Sequence, residues 1–283
     1  MAAALTLRCV RAPINAAASG IGLTHAVCSS VAFDTVQISE DLQGIRALAP
    51  GADISRVILY FHGGGHWLLT PHTYKEFIAR LSAATQACVV AVDYRKPPEV
   101  RFPGGLDDAM TAWRWAREQN QDASVVVAGD SSGGNLAFAL VVKLAQLGEK
   151  QPIACIGISP WLRLDMSRSF VNIYGRFCAN LYLGGQGKIT SAADPLVSPV
   201  NAESELVRLF PPILMHAGSN ELTTEDVKEM AGVCSRAGMI AEVEFYHAPH
   251  IFQVGPGFPE STRDSLNRID TFLRKYWQQH SES

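Results

Sequence analysis

The sequence predicts an α/β protein with a mostly parallel central sheet that is covered by helices on both faces. From residue 34 onward, short apolar runs alternate with amphipathic, helix-like stretches, which is the pattern of repeated strand–helix–strand units. The runs near residues 57, 88, 124 and 153 are apolar without alternation, as expected of strands buried on both faces. With 283 residues the chain can build a large core without a metal or a disulfide.

The predicted strands are rich in β-branched and aliphatic residues and cover Val57–Phe61, Cys88–Val92, Ser124–Ala128, Ile153–Ile158, Ile213–Ala217 and Ala241–Tyr246. The predicted helices repeat apolar residues every three or four positions and cover Tyr74–Ala84, Leu106–Arg117, Gly133–Leu147 and Glu225–Ala237. Gly238 follows the last of these as a helix cap. A final amphipathic helix over about Ser261–Trp277 closes the fold.

Two segments depart from this rhythm. The first 33 residues contain no acidic side chain, carry Arg8 and Arg11 and are rich in alanine. We expect a short helix that packs over the body as part of a cap, with a transit peptide as the alternative. Residues 161–208 carry no clear strand and are too long for a plain connection. We therefore expect a small helical cap inserted there, within a single domain that spans residues 34–283.

Composition narrows the classes of function. Only 18% of the residues are charged, the net charge is −3, and there is no dense Lys/Arg stripe, which argues against nucleic-acid binding. No apolar run reaches the roughly eighteen residues of a membrane span. Six scattered cysteines without C-x-x-C spacing exclude a zinc ribbon. They indicate reduced thiols in a cytoplasmic protein, with organellar targeting by the N-terminus as the alternative.

A serine-centred turn follows the predicted strand Ser124–Ala128. The run Gly129-Asp130-Ser131-Ser132-Gly133 fits G-x-S-x-G, in which a serine lies on a sharp strand-to-helix turn and only small residues fit two positions before and after it. The helix that follows places partial positive charge where an oxyanion would develop. A glycine-rich turn without catalytic function is the alternative, and the preceding strand and following helix argue against it.

A second glycine-rich turn, His62-Gly63-Gly64-Gly65, directly follows the strand Val57–Phe61. Consecutive glycines leave backbone N–H groups free to point into a cavity, as in an oxyanion hole. A phosphate-binding loop would need Lys-Ser/Thr after the glycines, but His66-Trp67 follows. A metal site on His62 and His66 is disfavoured, because three intervening glycines make a shared helical face improbable. We predict no metal.

Together these residues resemble the hormone-sensitive-lipase-like esterases of the α/β-hydrolase fold, from about Val57 to the C-terminus. The resemblance implies Ser131 as nucleophile, His250 as base, and the backbone amides of Gly64, Gly65 and Ser132 as oxyanion donors. It also implies scaffold roles for the residues of the run Asp93-Tyr94-Arg95. Its other marks are Pro98-Glu99, Phe102-Pro103, Gly129-Asp130-Ser131-Ser132-Gly133-Gly134, Asp194-Pro195-Leu196 and Pro249-His250-Ile251-Phe252-Gln253.

The position of His250 also supports its role without the family. It lies four residues beyond the last predicted strand, in a Pro-containing loop before the final helix. The chain order of Ser131, acid and His250 is the order of an α/β-hydrolase triad. His247 is the competing histidine, and the match around Pro249 and His250 favours the latter.

The acid is where the sequence departs from the family. The resemblance puts an aspartate where this chain has Asn220, and asparagine does not stabilise the imidazolium that forms when the base takes a proton. The adjacent Glu221 is the predicted acid. Asp226 and a weakened Ser–His dyad are the alternatives.

The predicted function is a serine hydrolase that cleaves carboxylic esters of short to medium acyl chain through an acyl-enzyme, without a cofactor. We expect a small apolar pocket lined by His62 and Trp67, with Trp161 and Tyr182 at its rim or in the core. The partner is a small-molecule ester, and a homodimer is one expected state. Two rivals remain: an amide or lactone hydrolase or acyltransferase on the same triad, and a small-molecule-binding member with weakened catalysis, which Asn220 favours.

Overall fold

The computed structural model describes residues 7, 10–15, 29–119, 123–164, 173–184, 192–255 and 257–281. The strands are β1 (Ala32–Gln37), β2 (Gln43–Leu48), β3 (Asp53–Phe61), β4 (Ala87–Val92), β5 (Ser124–Asp130), β6 (Ala154–Ile158), β7 (Ile213–Gly218) and β8 (Ala241–Tyr246). The helices are α1 (residues 10–15), α2 (Lys75–Thr85), α3 (Gly104–Gln119), α4 (Ser131–Leu147), α5 (Ile173–Leu183), α6 (Ser204–Val207), α7 (Thr224–Arg236) and α8 (Pro259–Ser281).

One sheet contains these eight strands in the order β1-β2-β4-β3-β5-β6-β7-β8. The pairs β1–β2 and β2–β4 are antiparallel, and every pair from β4 through β3 to β8 is parallel. The predicted α/β fold with a mostly parallel sheet is therefore confirmed, and each predicted strand is present within a few residues of its expected bounds.

The hairpin of β1 and β2 was not predicted from the sequence. Polar residues interrupt both strands, and most residues of β1 are exposed or half-buried. They therefore lack the unbroken apolar run that marks the buried strands. The hairpin pairs with β4 at one side of the sheet, as an antiparallel element that can face water.

Alternate side chains of the parallel strands point to opposite faces, and each face has its own helical cover. On β3, Leu59 and Phe61 pack with α3, α4 and α7, whereas Ile58 and Tyr60 pack with α2 and α8. The same alternation continues through β5. Burial on both faces explains why these strands lack polar alternation in the sequence.

The carboxyl ends of the parallel strands lie together along one edge of the sheet, perpendicular to the strand direction. This alignment brings the candidate functional loops together. The glycine turn follows β3, Ser131 follows β5, and the loops of Glu221 and His250 follow β7 and β8. In open α/β sheets ligands bind outside the carboxyl ends of the strands. Loops that are far apart in sequence therefore meet at this edge.

The N-terminal segment and the inserted segment both contact this edge. In α1, Arg11 pairs with Glu99 at 2.6 Å, and Asn15 accepts a hydrogen bond from the Leu69 amide at 2.8 Å. Helix α5 lies against the glycine turn, because a Cβ on Gly65 would meet the Cys178 sulfur at 2.6 Å. The proposed transit-peptide stretch 1–33 and the cap insertion 161–208 fall partly outside the described residues, so the cap boundaries stay a prediction.

Among the described residues no helix is both long enough and apolar enough to cross a membrane. Four cysteines in these ranges are free and buried: Cys88, Cys155, Cys178 and Cys234. Cys9 and Cys28 lie outside the described residues.

Candidate active site

Ser131 is the first residue of α4 and follows β5 without a connecting loop. Its φ of 50° lies in the left-handed region, which costs a non-glycine residue energy and marks a strained turn. The flanking glycines are required sterically. A Cβ on Gly129 would overlap the backbone of Gly133, and a Cβ on Gly133 would overlap the Phe61 carbonyl. These overlaps explain the glycine spacing seen in the sequence.

His250 approaches Ser131 from the loop after β8. Its Nε2 lies 3.0 Å from the Ser131 Oγ, a hydrogen-bonding distance. The side chain of His250 is 36% exposed, so a substrate and water can reach the imidazole. The competing His247 is exposed and precedes His250 by three positions in the chain. The Ser131 hydroxyl has its hydrogen bond with His250.

Glu221 completes the contact chain, because its Oε2 lies 3.3 Å from the His250 Nδ1. Two hydroxyl groups hold this carboxylate: Ser159 Oγ donates to Oε2 at 2.9 Å, and Thr223 Oγ1 donates to Oε1 at 2.6 Å. Burial raises the pKa of Glu221. The hydrogen bond to His250, the charge of His250 and the hydrogen bonds from the two hydroxyls together outweigh burial, so the pKa lies below its usual value. The carboxylate is therefore ionised at neutral pH.

The other candidates for the acid lie elsewhere. Asn220 is exposed. The Asp226 carboxylate accepts hydrogen bonds from the Leu162 and Arg163 amides, each at 3.1 Å, and so anchors the chain that follows β6. The structure therefore brings Glu221 to His250, and not Asp226.

The glycine turn has the features of an anion-binding backbone. Gly64 and Gly65 have φ values of 114° and 65°, a region that favours glycine. Within the described ranges, neither amide donates a hydrogen bond to another protein group. The Ser132 amide lies in the first turn of α4, where N–H groups have no intrahelical acceptor. The role of these three amides as oxyanion donors stays a prediction.

Asp130 joins the glycine turn to the serine turn. Its fully buried carboxylate accepts hydrogen bonds from Tyr60 Oη at 2.6 Å, Tyr74 Oη at 2.9 Å and the Gly63 amide at 2.8 Å. Burial raises the pKa of Asp130, and these three hydrogen bonds oppose that rise. The sequence reading missed this role, although Asp130 lies inside the G-x-S-x-G motif.

The predicted pocket residues lie deeper than expected. His62 has no exposed surface, and its ring nitrogens contact Lys96 and the Gly63 carbonyl. Trp67 is almost fully buried and packs edge-on against Phe177 of α5 at 5.3 Å. Tyr182 is buried and stacks on His66 at 3.8 Å, while Trp161 is only half-buried. Pocket-lining roles for His62 and Trp67 stay predictions.

Ser159 and Thr223 are the other residues that the sequence reading missed. Ser159 follows β6 at the functional edge of the sheet, and its φ is 45°. A small polar residue at the carboxyl end of a buried strand is the signal that would have pointed to it. Thr223 is two residues from Glu221, within reach for a local side-chain contact. In the described part of the chain, no three His, Cys, Asp or Glu side chains are placed to hold a metal ion.

The model of a protein family described as having the alpha/beta hydrolase fold matches residues 58–254. This chain belongs to the α/β-hydrolase family. The matched span runs from β3 to the loop after His250, so it includes every residue of the geometry described above. The resemblance predicted from the motifs is confirmed at the level of the family and the fold.

Relatives and solved structures of this α/β-hydrolase agree with the predicted class, an ester hydrolase. It is 34% identical over 241 residues to an acetyl-hydrolase of Streptomyces hygroscopicus, covering 80% of this chain and 77% of that protein. It is also 34% identical to the carboxylesterase/phospholipase LipF of Mycobacterium tuberculosis, over 82% of this chain and 64% of that one. A hormone-sensitive-lipase homologue from a metagenome library, EstE7, superposes with a TM-score of 0.81 and 28% identity, covering 93% and 92% of the two chains.

Proposed function

We propose that this α/β-hydrolase is a serine hydrolase that cleaves carboxylic esters through an acyl-enzyme. The observation that carries this proposal is the continuous set of contacts from Ser131 through His250 to Glu221, at 3.0 and 3.3 Å. A nucleophile, a base and an orienting carboxylate in this order form a catalytic triad.

In the first step, the Ser131 oxygen attacks the ester carbonyl carbon while His250 Nε2 accepts the serine proton. Glu221 stabilises the imidazolium through Nδ1–H. The carbonyl oxygen becomes an oxyanion, and the amides of Gly64, Gly65 and Ser132 are its proposed donors. Collapse of the tetrahedral intermediate breaks the bond to the alcohol, which leaves with the proton from His250.

In the second step, water replaces the alcohol. His250 accepts a proton from the water as its oxygen attacks the acyl carbon of the Ser131 ester. The same amides hold the second oxyanion. Collapse releases the carboxylic acid and returns the proton to Ser131, so the enzyme is regenerated.

The substrate class we propose is esters of short to medium acyl chain. The support is the close approach of α5 to the glycine turn, where Tyr174 and Cys178 lie against Gly65 and Phe177 lies against Trp67. A cap this near the oxyanion donors leaves little room for a long chain. The comparison of p-nitrophenyl butyrate with the palmitate ester tests this, and faster cleavage of palmitate would contradict it.

The proposed chemistry is tested by measuring p-nitrophenyl butyrate hydrolysis by wild type, Ser131→Ala and Ser124→Ala. Ser124 lies at the other end of β5, so its substitution is a matched control for loss of a serine hydroxyl. We expect wild type and Ser124→Ala to turn over and Ser131→Ala to lose activity by several orders of magnitude. Equal activity in wild type and Ser131→Ala would refute the nucleophile.

The two rival functions are separated by further substrates. Comparison of ester, amide and lactone turnover, and of hydrolysis with transfer to an added alcohol, distinguishes the acyl-group chemistries, because the triad does not encode the leaving group. The receptor hypothesis depended on Asn220. Because Glu221 lies beside His250, Asn220 no longer argues for lost catalysis. Absence of turnover by wild type on all short esters would favour the receptor.

A further inference from the structure

A buried lysine lies behind the glycine turn. Lys96 is only 8% exposed and follows β4 in the loop that also carries Asp93 and Tyr94. Its Nζ lies 3.2 Å from Asp93 Oδ1, 2.9 Å from the Tyr94 carbonyl and 3.2 Å from His62 Nε2. An ammonium group has three N–H donors and no acceptor. Each of the three N–H bonds of Lys96 therefore has one partner.

This arrangement determines which nitrogen of His62 carries the proton. Because the Lys96 ammonium can only donate, His62 Nε2 must accept, and the ring proton is on Nδ1. Nδ1–H then donates to the Gly63 carbonyl oxygen, 2.7 Å away. Burial first, and the charge of Lys96 second, keep the pKa of His62 well below its usual value, so the ring is neutral.

The imidazole is held rigidly in this orientation. It stacks on the Tyr94 ring with a centroid distance of 4.7 Å, and the Tyr94 hydroxyl donates to the His62 carbonyl oxygen at 2.7 Å. His62 therefore has contacts on its ring face, on both ring nitrogens and on its backbone. A side chain with this many contacts can transmit the position of Lys96 to Gly63.

The Gly63 carbonyl oxygen and the Gly64 N–H belong to the same peptide group. In a planar trans peptide the carbonyl oxygen and the amide hydrogen point to opposite sides. When His62 holds the Gly63 oxygen, the Gly64 N–H is directed away from His62. The Gly63 N–H is itself held by Asp130 at 2.8 Å. The orientation of the proposed oxyanion donor is thus set from both sides.

We propose that Lys96 is a positioning residue for the oxyanion turn: it fixes the His62 proton on Nδ1, and His62 in turn orients the Gly64 amide. This inference deepens the proposed function and rests on it. It gives His62 a structural role behind the turn, where the sequence had suggested a place in the pocket lining.

The first test needs neither a substitution of Lys96 nor an active enzyme. The ¹⁵N and ¹H spectrum of the full-length protein, labelled at histidine, reports the tautomer of each ring, and a His62→Gln spectrum assigns the His62 signals. We expect the neutral Nδ1–H form for His62. A neutral Nε2–H form, or a ring protonated at pH 7, would overturn the proposal whether or not the protein cleaves esters.

The second test asks whether the position of the amide matters for the reaction. Lys96→Met removes the ammonium and keeps an unbranched apolar stem in its place, while Glu99→Gln in the same loop removes the Arg11 ion pair without touching His62. We expect Lys96→Met to lower kcat for p-nitrophenyl butyrate by roughly 10- to 100-fold, less than deletion of an oxyanion donor. KM should change little, and Glu99→Gln should stay within about threefold of wild type.

Inhibitor binding distinguishes a misplaced oxyanion donor from a general disruption of the active site. A trifluoromethyl ketone forms a tetrahedral adduct with an oxyanion, whereas butan-1-ol has neither a carbonyl group nor a charge. In Lys96→Met the ketone should bind more weakly by the factor lost in kcat, and inhibition by butan-1-ol should not change. Unchanged kcat and ketone binding would overturn the inference and leave the esterase proposal intact. A wild type without ester turnover would defeat the esterase proposal. A change of the His62 tautomer or of its Nδ1–H signal in Lys96→Met would still test the link to Lys96.

Discussion

The Glu221 carboxylate lies 3.3 Å from the His250 imidazole. Glu221 is one residue beyond the exposed Asn220, where the family resemblance leads us to expect an aspartate. A glutamate side chain is one methylene longer than an aspartate side chain, and it starts one residue later in this loop. Hydroxyl groups of Ser159 and Thr223 hold both carboxylate oxygens. The shift of the acid by one residue therefore preserves the contact with His250.

Replacement of Glu221 by Gln should lower kcat for p-nitrophenyl butyrate by about 10³- to 10⁴-fold, because an amide does not stabilise the imidazolium and an aspartate-to-asparagine change in a triad costs about 10⁴. Glu225→Gln, on the exposed start of α7, is the matched control and should behave as wild type. Asn220→Asp should also leave kcat unchanged. A Glu221→Gln variant within tenfold of wild type would place the acid elsewhere.

Loss of the Ser159 hydroxyl should loosen both the Glu221 carboxylate and the loop that carries His250. Its Oγ donates to Glu221 and accepts from the Ile251 amide at 3.2 Å, so it links the acid loop to the histidine loop. We expect Ser159→Ala to lower kcat by roughly tenfold and the free energy of unfolding by about 1–2 kcal/mol. Steady-state kinetics and urea unfolding measure the two effects. A change in neither would show that the link is dispensable.

Asp130 should be a major determinant of stability. Asp130→Ala leaves three buried donors without their acceptor and should reduce the free energy of unfolding by about 3 kcal/mol or more. Asp130→Asn should cost less, since the amide oxygen still accepts and the Tyr74 hydroxyl can turn to accept from the amide NH₂. Urea unfolding of both variants shows which of the two has the lower free energy of unfolding. An alanine variant as stable as the asparagine variant would contradict the role assigned to this carboxylate.

Three buried histidines should make the protein less stable in acid. Burial keeps the pKa of His62 well below its usual value, and it lowers the pKa of both His66 and His216 from 6.5 to about 3. The unfolded chain therefore binds more protons than the folded one between pH 6.5 and pH 3, and stability rises with pH through that window. His66 and His216 should each cost about 2 kcal/mol between pH 7 and pH 5.

His216→Asn isolates one of these contributions. The amide does not titrate and can still contact Ser265, the partner of His216 Nδ1 at 2.7 Å. The variant should be less stable than wild type at pH 7 but should lose about 2 kcal/mol less on acidification to pH 5. Urea unfolding at the two pH values checks this. An equal loss in both proteins would mean that His216 is not the titrating group.

Local sequence signals predicted most of the fold, and they pointed to the two residues that we propose as nucleophile and base. The buried strands were visible because both of their faces are apolar, and Ser131 and His250 lie in short motifs next to strand ends. The remaining contacts join residues far apart in sequence. Asp130 bonds Tyr60 across 70 positions, and Ser159 bonds Glu221 across 62. Nothing in the neighbourhood of either residue encodes its partner, so only the three-dimensional arrangement reveals these links.

Glu221 was predicted as the acid with two alternatives, because loop residues carry no periodicity that would fix their direction. Glu221, Asp226 and a missing acid all fit the same stretch of sequence. The start of α7 separates the two carboxylates. It turns the Asp226 carboxylate toward the Leu162 and Arg163 amides and leaves Glu221 facing His250.

The central claim, a covalent reaction at Ser131, is tested most directly by the mass of the protein after treatment with diethyl p-nitrophenyl phosphate. This reagent phosphorylates an activated serine much faster than an ordinary hydroxyl group, so rapid labelling reports the nucleophile, its base and the oxyanion site together. We expect a single diethylphosphoryl adduct on the peptide that contains Ser131, and no adduct in Ser131→Ala or in His250→Ala. Absence of labelling in the wild type, or equal labelling of Ser131→Ala, would contradict the account.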